Sequence, residues 1–277
     1  MLSNRLTATI GLAVSAAIAF FARTDGRVSI APAAADDRAR SGRGLTQEDD
    51  HQQVVYRTYE LSYRRAVKVG GDTGESIAVR AQLSIEPLAR PGHYELSLRE
   101  VAVEGSAPPA EQLATRFQIS VRGGRIVGAG FLPDRSHETR RLLFAMAVAI
   151  WYSDGDGRAW TATEEDLTGL YEAIYIRDPS KGTVERRRHF VAVRAGTRLD
   201  RHRSTSVMVE GGSEFQADRA GLVSLRTDET LFSQVGTPRI RQMALEVAAS
   251  RLAVHWREAR DGPFLPVTPL EEATWRE

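Results

Sequence analysis

Alternation of apolar and polar residues dominates the chain from about residue 54 and predicts extended structure there. The odd-numbered residues from Val55 to Tyr63 share one strand face, because side chains two positions apart point to the same side of a strand. Residues 77–85 and 94–103 alternate in the same way, with a phase change near Arg99-Glu100 that is typical of a β-bulge. These three segments predict an antiparallel meander with one face on the core.

A β-hairpin and an apolar helix are predicted next. Residues 116–121 and 125–131 alternate on either side of the turn Gly123-Gly124. From Ser136 the chain predicts a helix that is apolar on every face over its second half, so it needs a surrounding shell such as a curved sheet. The predicted fold is mostly β, an antiparallel curved sheet or barrel wrapped around one central apolar helix. The core residues expected on that helix are Leu142, Leu143, Met146 and Ile150.

The rest of the chain predicts more sheet. Residues 160–176 are extended, and Gly169 marks a bend or a close backbone approach. Residues 239–256 are ambiguous, because their apolar spacing fits a helical start followed by a strand. Positive charge is concentrated in the strand predicted at 184–194 and just after it. This patch either docks an acidic partner or a lipid phosphate, or keeps an edge strand from aggregating. Its candidate docking residues are Arg186, Arg187, Arg188, Arg201 and Arg203.

The composition and the N-terminal segment limit which partners and which cellular compartment we expect. The 277 residues are 42% hydrophobic, enough to bury a core without cross-links. A net charge of +1 gives no global attraction for nucleic acid, and the absence of cysteine excludes disulfides and thiol chemistry. The uncharged, mostly apolar run Leu6–Ala22 follows Arg5 and is typical of a secretory signal or an uncleaved signal anchor. We therefore expect an exported protein of the cell envelope, periplasm or extracellular space, with membrane association through this segment if it is retained.

These features predict four regions along the chain. Residues 1–35 are a signal peptide or signal anchor, and the polar residues 36–53 are a disordered tether. Residues 54–256 form the folded domain. Residues 257–277 are a Pro-rich tail that serves as a docking or linker segment.

Catalytic and metal-binding patterns are absent from the sequence. It contains no HExxH or GxSxG motif, and Glu164, Glu165 and Asp166 do not converge by spacing alone. A calcium loop starting at Asp154 fails at its fifth and sixth positions. His137 is a lone histidine beside a helix N-terminus. We expect neither an enzyme, nor a cofactor, nor a metal site.

Three groups of residues occur in an order shared with a known family. They are Tyr59–Tyr63 with Tyr94–Leu98, Gly123–Ile126 with Glu138 and Arg140–Leu143, and Glu165 with Gly169 and Tyr175. Across residues 54–195 this order resembles the N-terminal β-barrel domain of large lipid transfer proteins, the group of vitellogenin, apolipophorin and microsomal triglyceride transfer protein.

The resemblance implies a barrel around a central helix and a role in lipid transport. Relatives commonly carry cysteines in the third strand and beside the glycine of the last motif, and this chain has none. They also continue into a helical domain and large lipid-cavity sheets, whereas this sequence ends at Glu277. Two functions follow as expectations. One is an exported lipid-transport or lipid-binding module. The alternative is a protein-docking module for a separate lipid-carrying or envelope partner, with no bound lipid of its own; a purely structural envelope protein is the remaining possibility.

Overall fold

The alternating segments form strands of one antiparallel sheet, as the sequence predicts. The computed structural model describes residues 53–69, 72–153, 155, 157–193, 206–218, 220–234, 239–258, 264–270 and 273. They belong to one unit, Asp50–Glu277. The predicted signal segment 1–35 and nearly all of the tether lie outside the described residues, as do Asp154, Arg201 and Arg203.

Twelve strands and two helices are found in the described part of the chain. The helices are α1, Ala110–Leu113, and α2, His137–Ile150. The sheet order is β12-β5-β4-β3-β2-β1-β11-β10-β9-β8-β7-β6. In chain order the strands are β1 Gln53–Val69, β2 Asp72–Pro87, β3 His93–Gly105, β4 Arg116–Arg122, β5 Arg125–Phe131, β6 Ala159–Glu165, β7 Gly169–Asp178, β8 Thr183–Val193, β9 Ser206–Asp218, β10 Gly221–Gln234, β11 Arg239–Glu258 and β12 Thr268–Pro269.

The central helix α2 lies in the core, which confirms the predicted fold of a curved sheet around an apolar helix. Its N-terminus is capped by Ser136, whose Oγ accepts a hydrogen bond from the Thr139 amide at 3.1 Å. It contacts both β5 and β11, which belong to different parts of the sheet. The four predicted core positions are at most 3% exposed: Leu142, Leu143, Met146 and Ile150.

The sheet is curved but does not close into a barrel. Its terminal strands are β12 and β6, and β5 approaches β6 near Ile126 and Glu164, which line a common cavity. The end of α2 lies at this gap, because Val148 and Trp151 line the same cavity. The helix and the residues that follow it thus fill the seam that sheet pairing leaves open.

Local details agree with the sequence at two positions. Glu100 has a positive φ of 51°, and the β2–β3 register shifts between Arg80 and Gln82, so the predicted bulge in the third strand is confirmed. At Gly169 an added Cβ would lie 2.2 Å from the Ala192 carbonyl oxygen, which is the predicted close backbone approach.

The structure decides the segment that the sequence leaves ambiguous, and it corrects the expectation for the tail. Residues 239–258 form one continuous strand and do not begin as a helix, because β1 and β10 pair with them on both sides. Part of the Pro-rich tail belongs to the fold and is not a free docking or linker segment. Thr268 and Pro269 pair with β5, and Leu270 and Ala273 are buried.

Helix burial predicts a severe effect of the substitution Leu143→Asp. Leu143 is fully buried, so the new carboxylate would lack both water and a partner. We expect a loss of about 4 kcal/mol or more in the free energy of unfolding, measured by chemical denaturation. The control is His137→Asp, which places the same side chain at the exposed start of α2, where a negative charge is favourable. Near-normal stability of Leu143→Asp would contradict the buried position of the helix.

Candidate functional site

Five charged side chains from three strands and one turn meet inside the sheet and form what we term the buried ion cluster. Arg186 and Arg188 come from the inward face of β8, which they share with Val184. Their partners come from the end of β6, the turn after it and β10. No cluster member's side chain is more than 14% exposed; the carboxylates are Glu164, Asp166 and Glu229.

Arg186 is the centre of the cluster. Its Nη1 lies 3.4 Å from Glu164 Oε2, and its Nη2 lies 3.8 Å from Glu229 Oε1. Nη2 also donates a hydrogen bond to Ser213 Oγ at 2.8 Å, and the guanidinium group lies 5.2 Å from the centre of the Phe215 ring. One side chain on β8 therefore links β6, β9 and β10.

Arg186 also holds the end of the central helix. Its Nη1 donates to the backbone carbonyl oxygen of Trp151, the C-cap of α2, at 3.3 Å. The last carbonyl groups of a helix lack partners within the helix and carry partial negative charge, so a cation there is favourable. Two further hydrogen bonds fix the next residues: the Ser153 amide donates to Tyr175 Oη at 3.1 Å, and Trp160 Nε1 donates to the Ser153 carbonyl at 3.1 Å.

Arg188, two residues further along β8 on the same face, completes the cluster. Its Nη1 lies 3.1 Å from Asp166 Oδ2, and its Nη2 donates to Glu229. Its guanidinium group lies 4.4 Å from the centre of the Tyr171 ring, a cation–π contact. Glu229 thus accepts from Arg188 while it also faces Arg186, so the two arginines share one buried carboxylate.

The pKa values agree with an ionised cluster. Burial raises the pKa of Glu229, but Arg188 and Arg186 lower it by more, so it lies below the ordinary value. Burial lowers the pKa of Arg188, while Glu229 and Asp166 raise it well above its usual range. The pKa of Tyr175 is raised mainly by burial, so its phenol stays protonated at neutral pH. These shifts move the groups away from neutral pH, where a general acid or base works best.

The cavity beside the cluster is small. It is lined by Trp151, Ser153 and Glu164 together with residues of β5, and its volume is about 20 Å³. That is room for roughly one water molecule, whereas pockets for ligands of drug size occupy about 300–1,000 Å³. This cavity cannot enclose an acyl chain. Among the described residues we find no group of metal-binding side chains and no helix long and apolar enough to span a bilayer.

The docking prediction must be corrected for two arginines. Arg186 and Arg188 are 1% and 5% exposed and cannot form a surface patch, because their charges are neutralised inside the sheet. The edge-strand alternative is also wrong, since β8 pairs with β7 along its length and with β9 at its start. Arg187 alone of the three is exposed, and it pairs with Glu185 at 2.8 Å. Arg201 and Arg203 lie outside the described residues.

Sequence reasoning missed the acidic half of the cluster, although a signal was present. Glu164 follows Trp160 and Ala162 on one strand face, and Asp166 keeps the same parity. Glu229 lies between Thr227 and Leu231 on the inward face of β10. Charged residues at the inward positions of alternating strands indicate buried ion pairs, but the pattern does not say which strands will meet.

Comparison with known proteins supports the fold alone. The chain is similar to a solved structure that reports lipid–protein interactions in lipovitellin, with a TM-score of 0.52 and 11% sequence identity. The similarity covers 80% of this chain but only 27% of that chain, so this protein spans about a quarter of its structural relative. No protein-family profile and no curated protein sequence matches it. The fold is therefore vitellogenin-like, with no support from sequence for membership of that family.

Arg186 and Arg187 provide a matched test of the cluster, because they are adjacent and differ in burial. Arg186→Ala leaves Glu164 and Glu229 buried without their shared cation, and we expect a loss of about 3–5 kcal/mol in the free energy of unfolding. Arg187→Ala removes only an exposed ion pair and should cost less than about 0.5 kcal/mol. Urea denaturation measures both. Equal losses for the two variants would show that the cluster does not stabilise the fold.

Proposed function

We propose that this chain is an exported module of the lipid-transport type that docks a separate lipid-carrying protein and does not enclose lipid in its own interior. The vitellogenin-like fold supports the lipid-transport setting. The observation that carries the docking role is the filled interior. The curved sheet packs on α2 and the buried ion cluster, and the cavity beside them, about 20 Å³ in volume, does not hold an acyl chain.

The outer face of β7 and β8 is the surface that we assign to the partner. It presents Arg187 and His189, both exposed, on the side of β8 opposite the cluster. Ile176 and Val191 are 45% and 59% exposed, which is unusual for side chains of this size. We call these four residues the β7–β8 outer patch. Exposed apolar side chains beside the Arg187–Glu185 ion pair, with Glu172 opposite His189, fit a partner surface that is partly apolar and carries charges of both signs.

The alternative is that the module itself binds lipid. The similarity to lipovitellin favours it, since that structure concerns lipid–protein interactions. The small cavity beside Glu164 argues against an enclosed acyl chain, so a lipid of this module would lie on its surface. The two possibilities differ in which molecule stays bound to the purified chain: a lipid if the module binds lipid, or a protein if it docks a partner.

The test is purification of the full chain from its native envelope fraction, followed by protein and lipid mass spectrometry of the complex and of the separated chain. We expect a partner protein at a fixed ratio, with the lipid on that partner. The charge reversal Arg187→Glu should weaken the association at least about tenfold, because it breaks the ion pair with Glu185 and places two like charges side by side in the contact surface.

The control for this test is Arg64→Glu. Arg64 is also exposed and ion-paired, with Glu246, but it lies on β1, four strands away from β8. Both variants should keep the melting temperature of the parent. Stoichiometric lipid on the separated chain would favour the lipid-binding alternative, and equal effects of the two charge reversals would remove the β7–β8 outer patch as the docking surface.

A further inference from the structure

The two edges of the sheet differ in whether another segment of the chain covers them. At one end, β5 is covered by the chain's own tail, since Thr268 and Pro269 pair with Ala129 and Gly128. The tail can approach because Gly128 has no side chain; a Cβ there would lie 2.8 Å from Val267 Cγ1. This cover hides unpaired backbone groups that would otherwise recruit another strand.

At the other end, β6 lacks such a cover in the described part of the chain. Residues Ala159–Glu165 pair with β7 on one side through an unbroken register, without a bulge. No described strand pairs with the other side. Natural sheets usually protect such an edge with charged side chains, proline, or a bulge. The stretch Ala159–Thr163 contains none of these.

The accessible part of this edge is its first five residues. Glu164 and Glu165 line the cavity shared with Gly124 and Arg125 of the β4–β5 hairpin, so that end of β6 faces its own sheet. Ala159, Thr161 and Thr163 are exposed. The free edge, which we define as Ala159–Thr163, is therefore free of bulges and uncharged, and three of its residues, Trp160, Thr161 and Thr163, favour strands.

We infer that the free edge of β6 pairs antiparallel with the same edge of a second copy of this chain, across a two-fold axis through Thr161. This register places Thr161 opposite its own copy and Ala159 opposite Thr163, so that side chains on each face match. No like charges are opposed, and cross-strand threonine pairs are favourable. A charged partner strand would find no countercharge here, whereas the edge is complementary to itself.

The resulting dimer extends one continuous sheet through both copies and covers the exposed edge of each. A ladder of five residues is a small interface, so the dimer is reversible and depends on protein concentration. The inference is independent of the docking role of the β7–β8 outer patch, which lies on a face of the sheet rather than on its edge.

Cysteine cross-linking tests the pairing directly, because the chain contains no cysteine of its own. In Thr161→Cys the two thiols would lie on directly opposed residues, and a short thiol cross-linker should give a covalent dimer of the full chain in detergent. The control is Glu172→Cys on β7, also exposed, which would be separated from its copy by three strand spacings and by four residues along the strands, about 19 Å in all. It should remain monomeric under the same treatment.

The second measurement is sedimentation of the full chain over a range of concentrations in the same detergent. The parent should be in monomer–dimer equilibrium, and Thr161→Lys should raise its dissociation constant at least about tenfold, because two lysines would then face each other at the axis. A parent that is monomeric throughout, equal cross-linking of the two cysteine variants, or a dimer unaffected by Thr161→Lys would each overturn the inference. The last result would indicate association through another part of the chain.

Discussion

The buried guanidinium group of Arg186 is the constraint on which the rest of the structure depends. Taking this charge out of water costs several kcal/mol, which its partners must offset. Among the described residues Nε has no hydrogen-bond partner, and the partners of Nη1 and Nη2 come from separate parts of the chain: Glu164 of β6, Glu229 of β10, and the Trp151 carbonyl at the end of α2. The cation is satisfied only when the sheet has curved and the helix is in place. The cluster thereby couples strands β6, β8 and β10 to the central helix.

This coupling also limits what the interior can do. The apolar side chains of α2 fill one part of the space inside the sheet, and the ion cluster fills another. The cavity that remains beside Glu164 has a volume of about 20 Å³. In the described part of the chain, the vitellogenin-like fold thus surrounds α2 and the ion cluster, which is why we assign the interactions of this chain to its surface.

The sequence predicts the parts of the fold that depend on local patterns. The meander, the hairpin at Gly123-Gly124 and the helix after Ser136 each have a period or a turn that marks them. The sequence does not predict the parts of the fold that depend on pairing between strands distant in the chain. Residues 239–258 have apolar spacing compatible with a helix, but β1 and β10 satisfy the backbone on both sides and make them a strand. The sequence pattern around Arg186 and Arg188 indicates a surface patch, because it does not show that the strands carrying Glu164 and Glu229 lie beside them.

Hydrogen–deuterium exchange of individual backbone amides tests the coupling of helix and sheet most directly. If the cluster joins them into one cooperative unit, the amides of Leu143–Ile150 and those of Val184–Arg188 will exchange equally slowly, through global unfolding. Fast exchange of the helix above a slowly exchanging sheet would show that α2 opens by itself, and would contradict the central role of Arg186.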